Sequence, residues 1–583
     1  MIQFDKVKLS FGGQLLFQDV SFTLQKGERC GLVGRNGSGK STLLKMIARE
    51  MEPDEGSVSL SKNYRVGFLR QHIHFTKPTI LEEAASALPP GEEDHLYKAE
   101  KILFGLGFSE KDMDASISQF SGGYHLRLHL AKVLISEPDC LLLDEPTNYL
   151  DIPSIRWLKQ FLRRWRGEFL LITHDRDFMD EVTTHTMGIH RGGVKKLPGD
   201  TKHFFEQLLL EEEVHEKTRV KVEKKKAHAE DFIRRFGAKA TKAGQAQSRV
   251  KMLARMPALE KLNAIANVSF DFHEAPFPGK KMLEAKGVSF SYTDVPLISD
   301  VSLWIEKGER VAIIGKNGRG KSTLLRLFAK DLEPIEGSVE HSENAHIGYF
   351  GQTPIDHLHA NHTIEEEINE ANPKLKFAEI KAIAGVMMFS GDASKKKISF
   401  LSGGEKSRVL LGKILAKPCN MLMLDEPTHH LDIESIEALI DALEEFSGSV
   451  VIVTHSELIL RRLLLDKIIL CGENKQTYFL GTYDEFLEKV GWDEEEKAPP
   501  KKKEEIGRPV NLLKPLENEI KKKEEKIMAL EKEQKHDQAA IEEGETNPLL
   551  LKSFGQRQKE IEKHYAELEQ LYQNYEMKKR ESQ

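Results

Sequence analysis

Cysteine is scarce in this chain: 583 residues carry four, Cys30, Cys140, Cys419 and Cys471, and no two are spaced as CxxC. That excludes a disulfide-stapled fold and argues against a structural metal centre. Cys30 and Cys140 sit in apolar, strand-like runs and read as small buried side chains of a reducing compartment. Long hydrophobic runs are missing too. Leu141–Leu143 and Phe169–Ile172 are the sort of apolar stretch the chain offers, far below the roughly 20 residues that span a bilayer. The opening segment MIQFDKVKLSFGG alternates like a strand and lacks the apolar centre of a secretory signal, so a cytoplasmic protein is expected. Nor does one sign of charge dominate, since 85 Lys and Arg stand against 92 Asp and Glu, a formal net of −7. A chain that is 39% hydrophobic and 30% charged is globular rather than disordered throughout. Because one core rarely grows past roughly 250–300 residues, two or three cores are expected.

What is present is a duplication. GRNGSGKST begins at Gly34 and GKNGRGKST at Gly315, 281 residues later. The same offset of 281 separates Gln71 from Gln352, Ser121 from Ser402, Asp144 from Asp425 and His174 from His455. Each half therefore carries one ordered set of landmarks with no net insertion. GERCGLVG and GERVAIIG are strand-to-loop transitions followed by helical spacing in STLLKMIAR and STLLRLFAK. CLLLDEPT and MLMLDEPT are unbroken apolar runs ending in acids, as in the fully buried strands of a parallel sheet. The expected fold class is α/β, with domains over 1–203 and 282–492, a linker over 204–281 and a tail over 493–583.

The pattern G-x-x-x-x-G-K-S needs glycines so that consecutive backbone N–H groups can curl around phosphate oxygens, while the following helix aims its positive end at the same anion. It assigns nucleotide contacts to Gly34, Asn36, Gly37, Ser38, Gly39, Lys40, Ser41 and Thr42, and to Gly315, Asn317, Gly318, Arg319, Gly320, Lys321, Ser322 and Thr323. Lys40 and Lys321 should reach the β- and γ-phosphates, and Ser41 and Ser322 should ligate Mg²⁺. Asp144 and Asp425 end apolar strands where a carboxylate can hold that metal through water. Glu145 and Glu426 follow as candidates for polarising the attacking water. Gln71 and Gln352 offer an amide to both metal and water, and His174 and His455 end apolar strands where an imidazole can bond a γ-phosphate. A lone glutamine reads as a polar side chain on the surface and a lone histidine as a structural one; only its place in the repeated order promotes each.

These motifs resemble those of ATP-binding cassette (ABC) domains, over both halves: two tandem P-loop ABC ATPase domains that bind two ATP and hydrolyse them. The resemblance implies an aromatic residue stacked on each adenine, Phe11 and Tyr292, again 281 apart. It also implies a signature, FSGGY with Ser121, Gly122 and Gly123, and LSGGE with Ser402, Gly403, Gly404 and Glu405. Each signature would face the opposite domain's ATP. Site one then combines Lys40, Gln71, Glu145 and His174 with Ser402–Glu405; site two combines Lys321, Gln352, Glu426 and His455 with Ser121–Tyr124. Tyr124 departs from the family's usual Gln or Glu, which leaves the relative turnover of the sites open. One chain supplies both halves of each site, so a monomer with intramolecular pairing is expected.

The nucleotide motifs serve membrane transport through separate subunits, nucleic-acid processing and translation alike. The connecting segment adds a choice. Between Lys217 and Lys261 stand 14 basic and 4 acidic residues, a net +10 in a chain of negative total. Glu211–Phe236 and Gln247–Leu262 are good helix formers around a small-residue turn, which predicts a helical hairpin with a basic tip suited to phosphates. Composition alone fits a solvated charged spacer equally well. The run DFIRRFGAKATKAGQAQSRVKML closely resembles the interdomain linker of ABC-F ribosome-associated translation factors. That family implies contact with rRNA and tRNA near the ribosomal E and P sites, by Arg234, Arg235, Lys239, Lys242 and Arg249 here. Both Gln-to-signature intervals are 50 residues (71 to 121 and 352 to 402), so the extra arm that some members insert in the first domain is absent. In the tail, Leu551, Phe554, Gln558, Ile561, Tyr565, Leu568, Tyr572 and Tyr575 step by three and four with a turn at 544–548, which predicts a C-terminal antiparallel coiled coil.

Overall fold

A short, wholly apolar run bounded by charged turns has nowhere to go but the inside of a sheet covered on both faces, and both halves of this protein are built around such runs. The computed structural model describes residues 1–11, 14–69, 75–236, 270–293, 295–351, 358–389, 391–428, 431–473, 475–492 and 563–564. In the first half, β3 (Arg29–Val33), β5 (Val66–Phe68), β6 (Cys140–Asp144), β7 (Glu168–Ile172), β8 (His185–His190) and β9 (Gly193–Pro198) form a six-stranded sheet in the order β5-β6-β7-β3-β8-β9. It is parallel except for β9, and every residue of β7 is buried. The second half repeats it with β12 (Arg310–Gly315), β14 (Ile347–Phe350), β15 (Met421–Asp425), β16 (Ser449–Val453), β17 (Lys467–Cys471) and β18 (Gln476–Leu480), in the order β14-β15-β16-β12-β17-β18. This order brings β3 beside β7 and β12 beside β16, so a P-loop and a terminal histidine leave the same sheet edge.

A smaller antiparallel sheet covers each large one: β2-β1-β4, made of β1 (Ile2–Phe11), β2 (Gln14–Leu24) and β4 (Glu55–Leu60), and β11-β10-β13, made of β10 (Lys281–Phe290), β11 (Ile298–Glu306) and β13 (Glu336–His341). The alternation of the opening segment is realised in β1, where Ile2, Phe4, Val7 and Leu9 face inward. Between the sheets, Leu43, Leu44, Met46 and Ile47 of the helix Lys40–Ile47 pack against Cys30, Leu142 and Leu170. All four cysteines are free and buried, and burial pushes the Cys30 thiol up to about 12.

A helix runs from Thr201 to Phe236, containing the first predicted arm of the linker; the second arm lies outside the described residues, as do Gln71, Gln352 and all of the C-terminal coiled coil but residues 563–564. Among the described residues, no helix is long and apolar enough to cross a membrane.

Candidate active site

Backbone conformation sets the phosphate loops. Gly39 has φ 101° and Gly320 φ 82°, in the left-handed region, and each immediately precedes a helix, Lys40–Ile47 and Lys321–Phe328. A Cβ on Gly39 would stand 2.7 Å from the Phe17 ring, so the loop closes against β2 only with glycine. The lysines bond the loops they follow. Lys40 Nζ donates to the carbonyls of Gly34 (2.6 Å) and Arg35 (3.1 Å), and Lys321 Nζ donates to those of Gly315 and Lys316, both at 3.0 Å.

Behind each loop stands an Asp-Glu pair whose glutamate is strained. Glu145 has φ 52° and Glu426 φ 47°, unusual for a residue with a Cβ. The kink is held in both halves by the same bond, Glu145 N–H to the Ile172 carbonyl and Glu426 N–H to that of Val453, each 2.9 Å. It turns the glutamate toward the histidine at the end of the neighbouring strand: His174 Nε2 is 3.0 Å from Glu145 Oε1, and His455 Nε2 is 3.6 Å from Glu426 Oε1. Burial, with Asp144 alongside, pushes the Glu145 carboxyl up to about 8. Burial and Asp425 do the same for Glu426, while burial lowers Lys40 and Lys321. With two acids and one lysine at each loop, ionising the glutamate leaves the cluster one positive charge short. Asp425 Oδ1 is buried without a hydrogen-bond partner. Hard oxygen donors from Ser41 with Asp144, and from Ser322 with Asp425, fit Mg²⁺.

This burial has a measurable consequence for stability. An unfolded glutamate ionises near 4.5 and folded Glu145 near 8, so the folded state binds more protons in between and stability falls as pH rises through that window. Some 19% of the Glu145 side chain still faces the cavity. Glu145→Gln is therefore expected to stabilise the apo protein at pH 8 by about 2 kcal/mol and not at pH 4; thermal unfolding midpoints at the two pH values check it, and a variant destabilised at pH 8 contradicts it.

The halves meet at these loops. A cavity of ≈ 930 Å³ is lined from the first half by Phe11, Asn36, Gly37, Gly39, Lys40, Ser41, Thr42, Asp144, Glu145 and His174, and from the second by Ser402, Gly404, Glu405 and Arg408. The first P-loop thus shares one space with the second SGG segment. At the other loop, Asn317 N–H donates to Asp151 Oδ2 (3.2 Å) and Asn317 Nδ2 to the Tyr149 carbonyl (2.7 Å), both in the first half. Asn317 Oδ1 also bonds Lys321 Nζ at 3.1 Å and His455 Nε2 at 3.0 Å. Tyr292 is 61% exposed and packs edge-on against Phe290.

The ABC transporter family model matches residues 17–148 and 298–429, and a second ABC transporter model matches 187–272. The probable ATP-binding protein YbiT of Escherichia coli O157:H7 is 34% identical over 532 residues, covering 84% of this chain and 100% of that protein. ABC transporter F family member 5 of Arabidopsis thaliana is 31% identical over 84% of this chain and 77% of its own length. The chain belongs to the ABC-F family. Among solved structures, an archaeal ribosome recycling factor, aABCE1, bound to the stalk protein aP1 has a TM-score of 0.58 at 19% identity, covering 83% of this chain and 92% of that one. At that identity the likeness is one of fold. As a tandem ABC ATPase, this ABC-F protein binds and hydrolyses ATP.

The two ABC-F signatures differ in detail. Ser402 and Glu405 form a closed box: Ser402 Oγ accepts from Glu405 N–H (3.3 Å), and the Glu405 carboxylate accepts from Ser402 N–H (2.8 Å) and Oγ–H (2.9 Å). Tyr124 cannot close such a box and instead packs on Phe108 and Phe120, with the Arg127 guanidinium 5.0 Å from its ring centre. The fixed offset also holds for residues that motif reading passed over. Buried Arg127 donates to the Tyr149 carbonyl and lies 3.7 Å from Asp151, its counterpart Arg408 lines the cavity, and Asp151 matches Asp432. Burial would raise Asp151, but Arg127 and bonds from Ser154 and Asn317 hold it below its ordinary value.

One further group of metal-type ligands exists among the described residues, His359, His362, Glu367 and Glu370. The Lys413 ammonium lies between its acids, 2.5 Å from Glu367 and 3.1 Å from Glu370. The first cassette has the corresponding buried pair, Glu83 with Lys132, without the histidines. The group is an internal ion pair that ties the helical subdomain together.

Proposed function

We propose that this ABC-F protein is an ATP-driven clamp that acts on the ribosome, its linker contacting rRNA and tRNA near the E and P sites. The observation that carries the reading is the shared cavity, in which Lys40 of one cassette and Ser402 and Gly404 of the other line one nucleotide-sized space. A ligand bridging the two surfaces binds the closed form better than the open one and shifts the molecule toward closure.

In each site the P-loop N–H groups and Lys40 or Lys321 bind phosphate oxygens, and Phe11 or Tyr292 stacks on the base. Ser41 with Asp144 and Ser322 with Asp425 hold Mg²⁺, which supplies charge neutralisation at the phosphates, with Gln71 and Gln352 at the same metals. Glu145 and Glu426 orient the attacking water and accept its proton, each turned toward the reacting centre by its kinked backbone. His174 and His455 fix the glutamates and donate toward the γ-phosphate. Ser121–Gly123 and Ser402–Glu405 complete the opposite sites. Loss of the anion that both cassettes share then favours opening.

The net +10 of residues 217–261 supports RNA as the partner, and the aABCE1 neighbour is named as a ribosome recycling factor. Phosphate-dominated contact is salt-dependent, with one counterion released per neutralised phosphate. Substituting Arg234, Arg235, Lys239, Lys242 and Arg249 together by Ala should weaken ribosome co-sedimentation in ATP by roughly 10²-fold or more at 150 mM salt and flatten its salt dependence, with ATP binding unchanged. Equal sedimentation of wild-type and five-Ala protein at every salt concentration would reject the linker as the contact.

A further inference from the structure

The interface between the cassettes has two kinds of contact related by the 281-residue offset. The first is symmetric. Ile152 packs into the second cassette's core, and its counterpart Ile433 packs with Val33, Met179 and Phe204 of the first. Asp151 and Asp432, one residue earlier, both cap the following helix. Contacts that are the same on both sides cannot tell one cassette from the other.

The second kind is not symmetric. Arg156, in the helix Ile152–Arg163, makes a two-point bond to Glu457, Nε to Oε1 at 2.6 Å and Nη2 to Oε2 at 3.2 Å. Arg176, which opens the helix Arg176–Val182, lies 3.3 Å from Glu437. Glu437 occupies the position of Arg156 in the duplicated sequence, and Glu457 that of Arg176. The first cassette therefore presents arginine at both positions and the second glutamate at both. A third pair, Arg35 with Glu434 at 3.1 Å, runs in the same sense. The Arg156 and Glu457 side chains are 20% and 17% exposed, so they meet largely out of water, where opposite charges attract and like charges repel most strongly.

We infer that Arg156, Arg176, Glu437 and Glu457 are a pairing code that makes each cassette accept only the opposite cassette. In a first-with-first pairing, Arg156 of one copy would meet Arg176 of the other; in a second-with-second pairing, Glu437 would meet Glu457. Duplication alone would leave all three combinations equally good, since the P-loops and the packed isoleucines are alike. The charges reject two of them by setting like charges against each other. The code concerns the cassettes themselves and is independent of the ribosome.

Four full-length proteins test this. Arg156→Glu with Arg176→Glu sets four acids face to face, and ATP turnover should fall at least about tenfold because closure is lost. Glu437→Arg with Glu457→Arg sets four bases there and should fall further, because Arg461 and Arg462 already lie 3.4 Å and 3.1 Å from those acids. Mixing these two proteins should restore activity in a concentration-dependent way, with a doubled molar mass in ATP, because the native Arg and Glu faces now sit on different chains. Combining all four substitutions in one chain should recover turnover to within a few-fold of wild type as a monomer. Circular dichroism of each double variant verifies folding, and Arg156→Gln with Arg176→Gln, which only removes charge, should give an intermediate loss. Wild-type turnover in both reversed proteins, or no recovery in either the mixture or the fourfold variant, would overturn the code.

Discussion

Glu145→Gln with Glu426→Gln is expected to keep ATP and lose turnover by roughly 10²–10⁴-fold, the range over which a positioned general base acts. The amide matches the carboxylate in shape, so the contact with His174 and the kink at φ 52° survive, but it cannot take a proton from water. Burial works against the wild-type carboxylate, since it holds Glu145 near 8. Only extra positive charge at the loop restores the ionised base, which couples the base to an assembled site. Steady-state phosphate release and equilibrium ATP binding measure the two halves of the expectation. Turnover within threefold of wild type would remove both glutamates from the chemistry. The doubly substituted protein should also accumulate closed and co-sediment with ribosomes in ATP, whereas equal occupancy with and without ATP would break the proposed link between closure and ribosome binding. Single substitutions would separate the two sites of the proposed pairing, in which the signature closed by Glu405 serves Lys40 and the one carrying Tyr124 serves Lys321.

How much of this was legible in the chain depends on whether a feature is local. The strands Cys140–Asp144 and Met421–Asp425 were plain, because a buried parallel strand needs an unbroken apolar run and an acid at its end marks the ligand edge. The P-loops were plain for the same reason, as their glycines answer to φ values that other residues resist. Arg127 was not legible, since nothing in HLRLHLAKV distinguishes a solvated arginine from one buried against the Tyr149 carbonyl. The ion pairs across the interface were hidden for a deeper reason. Arg156 and Glu457 are 301 residues apart and gain meaning only when the repeat is folded upon itself. The repeat offset held the clue, because a position that is arginine in one copy and glutamate in the other signals a surface where the copies have stopped being equivalent. Glu145 shows the opposite case: its identity was evident, but the left-handed backbone that aims it is a tertiary fact imposed by the bond to Ile172.

Gly404→Asp should abolish turnover while leaving the fold as stable as before or slightly more so, and the two effects follow from one charge. Gly404 lies in the first turn of the helix Gly403–Ala416, where an acid complements the helix dipole by about 0.3–1 kcal/mol. It also lines the cavity opposite Lys40 and Ser41, where a carboxylate would face the phosphate that the P-loop holds. Two like charges about 4 Å apart at an effective dielectric of 20 repel by about 4 kcal/mol, roughly a thousandfold in the closed state. The repulsion outweighs the helix gain several times over, so the variant folds, loads ATP on the open first cassette and fails to close. ATP affinity should change less than about tenfold while hydrolysis falls by a factor of 10² or more. Gly123→Asp makes the same test at the other site, where a Cβ meets only Tyr149 at an ordinary 3.5 Å. Normal turnover in Gly404→Asp would mean that the second cassette's signature never meets the first cassette's nucleotide, and the clamp would then have no shared ligand to close upon.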